Sequence, residues 1–189
     1  MEYLKKNYKY REGVKDFSIS DSVTSKVGSF YEEDPFPNYK LEDNKQTILK
    51  IGDQNILLKE FKKFIGHNKS VIEIGSFDGS FHSLKLGKDF ANKNEINNIE
   101  FVRGDIFDKN FNNEVFDYIW CNGVLHHTKD PYEAFKSIIP CLKKDGYILL
   151  GLYNKIGRLR TKVRKYIYKF FGKKAVMKFD PVLRSIPDD

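Results

Sequence analysis

Cysteine, proline and long apolar runs are all scarce in this chain, and each scarcity removes a class of protein. The 189 residues include two cysteines, Cys121 and Cys141, too few and too far apart for a metal or disulfide framework. Both read as reduced core residues. No apolar stretch approaches the roughly 20 residues of a membrane span. The opening "MEYLKKNYKY" has no signal-peptide core, so the chain reads as cytoplasmic. Acidic residues are missing from one place in particular. Between positions 154 and 178, "NKIGRLRTKVRKYIYKFFGKKAVMK" holds ten Lys or Arg and no acid. The formal net charge is +7, so the remainder sums to +7 − 10 = −3. The basic balance therefore belongs to one segment and not to the fold.

What is present suits one principal domain, since a chain of this length buries roughly 70% of its unfolded surface. Residues 1–28 are polar and read as an irregular, flexible segment. "SFYEEDPFPNYK" (29–40) carries Pro35 and Pro37, which forbid a regular helix and favour an extended approach. "DQNILLKEFKKFIG" (53–66) predicts an amphipathic helix through Ile56, Leu57, Phe61, Phe64 and Ile65, with Asp53 as cap. Strands are expected near 71–75, 99–103, 116–121 and 147–152, with helices over 80–93 and 131–144 between them. Asp130–Pro131 makes a helix start, and Gly146 reads as the stop of that helix. Strands alternating with helices imply a parallel sheet covered on both faces. The division expected is a core domain over 29–154 and a basic amphipathic segment over 155–189.

In such sheets ligands bind beyond the carboxyl ends of the strands. The first strand end offers Glu73, Gly75, Ser76 and Gly79, the second Gly104 and Asp105, and the third Asn122, Gly123, His126 and His127. A glycine loop alone is an ordinary strand-to-helix turn. The conjunction of "VIEIGSFDG", "VRGDIFD", "FDYIWCNGVLHHTKDPYEAF" and "CLKKDGYILLGLYN", in that order, resembles the class I S-adenosylmethionine-dependent methyltransferases. The resemblance spans residues 29–160 and implies a Rossmann-like three-layer α/β fold with a shortened sheet. It implies S-adenosylmethionine as cofactor, with Glu73, Gly75, Ser76 and Gly79 along its methionine end. Asp105 and the Ile106 backbone would meet the adenine, and Asn122 and Gly123 would sit beside the methionine moiety. No metal is implied.

The chain departs from the family pattern at two places. Phe77 stands where the loop's middle glycine is usual, so its ring must point away from the ligand or block it. Only 26 positions separate Gly79 from Asp105, where the family has a helix, a strand and a further helix. A typical helix plus strand is about 17 residues. That much is missing near Phe81–Ser83, together with the acid that would hold the ribose. Strand 99–103 is then expected to pair directly with 71–75, leaving Asp105 as the substitute ribose ligand.

Function stays divided on sequence grounds. One reading is methyl transfer to a small-molecule or lipid-linked acceptor; the other is a truncated, non-catalytic binding or membrane-associating protein. His126 and His127 are either a base or plain loop residues. Methyl transfer can proceed by placing a nucleophile in line, so a base is not obligatory. The basic segment is expected to form a helix over 156–171 that buries Leu159, Val163, Ile167 and Phe170. Packing on the sheet and lying on an anionic membrane through residues 155–174 are both open readings. Nucleic acid is the weakest reading, because no recognition motif accompanies the charge.

Overall fold

The computed structural model describes residues 3–5, 7–17, 42–75, 80–154 and 156–179. These form two compact units, one reaching Gly151 and one beginning at Leu152. Residues 18–41, including the proline-rich approach, and residues 76–79 lie outside the described part.

The N-terminal segment is not irregular where it is described. Strands β1 (Lys9–Arg11) and β2 (Val14–Asp16) form an antiparallel hairpin. Its turn is Glu12–Gly13, both with positive φ (48° and 82°), the conformation that suits a two-residue hairpin. Val14 is fully buried and shares a cluster with Phe81, Leu84, Ala91 and Phe101. That burial anchors β2 alongside strand β4 (Val102–Arg103), to which it runs parallel. Lys15 N–H donates to the Phe101 carbonyl and Phe17 N–H to that of Arg103, each at 3.0 Å. Arg103 also meets the largely buried Asp16 carboxylate at 3.5 Å. This corrects the expected pairing of 99–103 with 71–75. The N-terminal chain, not β3, supplies the backbone partner of β4.

Helices α1 (Lys45–Gln54) and α2 (Ile56–Phe64) replace the single helix expected over 53–66. Asn44 caps the first in a reciprocal box with Thr47, and Asn55 caps the second through Leu57 and Leu58 N–H. Asn55, not Asp53, is therefore the start signal of α2. Phe61 and Phe64 meet Tyr118, Trp120 and Tyr147 edge to face, with centroids 4.8–5.9 Å apart.

A parallel sheet in the order β3 (Val71–Glu73), β5 (Phe116–Asn122), β6 (Leu142–Gly151) carries the main core. Phe116, Tyr118, Ile119 and Cys121 of β5 are buried, with Val115, Leu125, Ala134 and Ile138 around them. Asp117 fastens the three strands together. Its carboxylate accepts from Ser70 N–H (2.9 Å), Ser70 Oγ (2.8 Å) and Lys143 Nζ (2.9 Å). These donors hold it well below the usual carboxylate range, the Lys143 ammonium first and the Ser70 groups after it.

Between these strands lie helices α3 (Phe81–Lys93), capped by Ser80, and α4 (Pro131–Ile138), capped by Asp130. Helix α4 stops earlier than the expected 144. Glu114 N–H and Val115 N–H bind the carbonyls of Pro140 and Cys141 at 2.9 Å, drawing that stretch into the sheet. Gly146 accordingly lies inside β6 and is not a helix stop. The alternation of parallel strands and helices is a Rossmann-like α/β arrangement.

The second unit holds helix α5 (Leu159–Phe179), interrupted by non-helical backbone at Gly172. The expected burial of its apolar side chains is corrected: Leu159, Val163 and Phe170 are exposed and Ile167 only half-buried. Helical periodicity gathers a face, but burying it requires an opposing surface.

Candidate functional site

The ends of β3 and β4 are not hydrogen-bonded to each other, and a cavity of about 300 Å³ opens beside them. β3 contributes Ile72 and Glu73, the turn after it Gly75, and the residues after β4 contribute Gly104 and Asp105. Ile106 and Phe107 form a wall, and the base includes Ile119, Ile138 and Cys141. Val124, His127 and Lys129 come from the loop after β5.

Each wall has a local cause. Asp105 is buried, and its Oδ1 accepts from Phe107 N–H at 2.9 Å, starting a 3₁₀ turn over Ile106–Asp108. Ser137 Oγ on α4 donates to the Ile106 carbonyl at 2.7 Å, tying that turn to the helix behind it. Gly75 has φ +77°, and a Cβ there would lie 2.3 Å from Val124 Cγ2. Only glycine lets β3 end in this conformation against Val124. The Lys129 ammonium stands 4.8 Å from the Phe107 ring centroid, a cation–π contact at the cavity wall. Cys141 is buried, and desolvation pushes its thiol up, so little thiolate is available at neutral pH.

Of the residues expected at the site, Glu73, Gly75, Asp105 and Ile106 share this one cavity. Asn122 and Gly123 end β5 but do not line it. The Asn122 amide lies across β6, where a Cβ on Gly151 would fall 1.8 Å from its Oδ1. Ser76, Phe77 and Gly79 lie outside the described residues. His127 lines the cavity, with the ring of His126 4.2 Å away. Val124, Lys109 and Lys129 also line it and were not singled out from sequence. The signal for Val124 and Lys129 was their place in the loop leaving a strand's carboxyl end; Lys109 follows the second strand end in the same way. Among the described residues, no group of three or more His, Cys, Asp and Glu could hold a metal ion.

Comparison with known proteins places this geometry in context. The family profile "Methyltransferase domain" matches residues 60–150. An uncharacterized protein of Synechococcus is 24% identical over 165 residues, which are 75% of this chain and 40% of that protein. The chain thus spans well under half the length of this curated relative. Among solved structures, a methyltransferase of Thermotoga maritima described as S-adenosylmethionine-dependent is 21% identical, with 74% of each chain covered and a TM-score of 0.40. A protein of Pyrococcus horikoshii is 18% identical over 75% of this chain and 68% of its own, with a TM-score of 0.44. Residues 60–150, which include the cavity's lining, are thus similar to the methyltransferase-domain family.

Proposed function

We propose that the chain binds S-adenosylmethionine in the cavity beside β3 and β4 and directs its methyl group to a small-molecule or lipid-linked acceptor. The observation that carries this reading is convergence: Glu73 and Gly75 from one strand end and Asp105 and Ile106 from another line the same space. The donor set fits the adenosine half of that cofactor. Ile106, Phe107 and Val124 offer apolar walls to a purine. The Asp105 carboxylate, oriented by Phe107 N–H, can accept from an amino group or a ribose hydroxyl. At about 300 Å³ the cavity stands at the lower end of the range for ligand sites, which suits a nucleoside.

When bound, S-adenosylmethionine supplies an electrophilic methyl carbon on a sulfonium. The protein's part is then largely placement and exclusion of water, without obligatory proton transfer. Should the acceptor carry a proton, the His127 imidazole at the cavity is suited to take it.

Calorimetric titration with S-adenosylmethionine and S-adenosylhomocysteine tests the reading. The expected result is one site per chain, with the two ligands competing. An ionised hydrogen-bonded carboxylate is worth about 1.5–3 kcal/mol, so a site without the family's ribose acid should bind roughly ten- to a hundredfold more weakly than one possessing it. No binding of either ligand up to roughly millimolar concentration overturns the proposal.

A further inference from the structure

Helix α5 carries a feature that methyl transfer does not require. With about 100° of rotation per residue, and Leu159 placed at zero, Phe170 falls at about 20°, Val163 at about 40° and Tyr166 at about −20°. Four large apolar or amphipathic side chains thus share a strip about 60° wide along the first three turns. All four are exposed: Leu159 by 60%, Val163 by 49%, Tyr166 by 66% and Phe170 by 69%. Lys162, Lys165 and Lys169 flank the strip on one side, from about −60° to −120°, and Arg160 and Arg164 on the other, at about 100° to 140°. Phe171 and Tyr168 fall outside the strip. No acidic residue interrupts the arrangement anywhere from 154 to 178.

A helix that holds an apolar strip in water and brackets it with like charge has two needs at once. The strip requires a non-aqueous phase, and the exposed lysines along its edge favour an anionic one. Another protein surface meets both only where an apolar groove is itself rimmed by carboxylates, and nucleic acid meets only the second. A layer of anionic lipid meets both, with acyl chains for Leu159, Val163 and Phe170, headgroup level for the Tyr166 ring, and phosphates for the flanking cations. Among the described residues no helix is long and apolar enough to cross a membrane, so the geometry is that of a helix lying on one.

We infer that α5 binds the surface of an anionic membrane, inserting Leu159, Val163, Tyr166 and Phe170 between lipid headgroups. Helix α5 shares no residue with the cavity lining, so the success or failure of this inference does not depend on the methyltransferase reading.

Co-sedimentation of the full chain with phosphatidylcholine vesicles, with and without about 30% phosphatidylserine, tests it. Binding should need the phosphatidylserine and weaken as salt rises. Each cation near the surface contributes about a fivefold factor, so the triple change Lys162→Gln, Lys165→Gln, Lys169→Gln should lower affinity roughly a hundredfold. Leu159→Ser with Phe170→Ser should lower it at least tenfold while leaving the salt dependence in place. All five positions are on the surface helix, and unchanged helical circular dichroism verifies that the variants fold. Binding indifferent to phosphatidylserine overturns the inference. So does binding that survives the apolar changes, which would mark simple charge adsorption. Tighter binding to a mixed-sequence oligonucleotide than to these vesicles, unaffected by the serine substitutions, also overturns it and assigns the cations to nucleic acid.

Discussion

Replacing Gly75 by alanine perturbs the cavity lining where it meets Val124. Two separate costs follow from the geometry. At φ +77° an L-residue pays about 1–2 kcal/mol for left-handed backbone. The new Cβ would also lie 2.3 Å from Val124 Cγ2 and 2.8 Å from Cγ1, distances no packed carbon tolerates. Val124 is β-branched and stiff at χ1, so it cannot swing aside freely. Relieving such overpacking costs about 1–3 kcal/mol. The sum is about 2–5 kcal/mol, within the 5–15 kcal/mol typical of a domain, so the variant should fold but unfold at lower urea. The assay has a built-in probe. Trp120 is the chain's one tryptophan and lies opposite Glu73 in the β3–β5 register. Combining Gly75→Ala with Val124→Ala removes both clashing methyls but not the backbone cost. The double variant should therefore be about 1–3 kcal/mol more stable than the sum of the two single effects predicts. Strict additivity, or a Gly75→Ala cost below about 0.5 kcal/mol, would refute the contact argument.

Asp105→Asn keeps an oxygen for the Phe107 N–H while removing the charge, so stability should hold and S-adenosylmethionine affinity should fall about tenfold, read by calorimetry. Asp117→Asn loses the charged acceptor shared by Ser70 and Lys143 and should cost about 1.5–3 kcal/mol in urea unfolding near neutral pH. The Asp117 carboxyl is lowered in the fold, so its contribution is full above the unfolded value of about 3.9 and drains away as pH falls through the folded one. The Asn variant should accordingly lose less stability than the parent on acidification, and equal losses would exclude this assignment. Burial pushes the Cys121 thiol up to about 11, so at pH 8 the native chain should alkylate there far more slowly than the urea-unfolded chain. The same shift predicts falling stability as pH climbs above the unfolded thiol's value of about 8.5 and on towards 11.

Local chemistry made much of the first unit legible in the amino-acid sequence. Alternation of β-branched and aromatic strands with capped helices implied parallel strands, and Asp130–Pro131 does start α4. Glu73, Gly75 and Asp105 could be named as candidates because strand ends are where such sheets bind ligands, whatever the neighbouring strand is, while Ile106 came from the family resemblance; all four line the cavity. Partners were a different matter. That β4 pairs with β2 depends on a hairpin more than 80 positions upstream and on Val14 entering the Phe81–Phe101 cluster. Strand pairing carries no signature within either strand alone, because the same edge groups can bond any backbone presented to them. The early end of α4 has the same origin, since backbone bonds from Glu114 and Val115 compete for a stretch that helical periodicity would have continued. Val124 against Gly75 joins positions that only the fold brings together. In α5 the periodic strip was readable from spacing, but whether it is covered depends on an opposing surface, and it stands exposed. Patterning in a sequence sets which faces are apolar; only the tertiary arrangement decides what, if anything, each face meets.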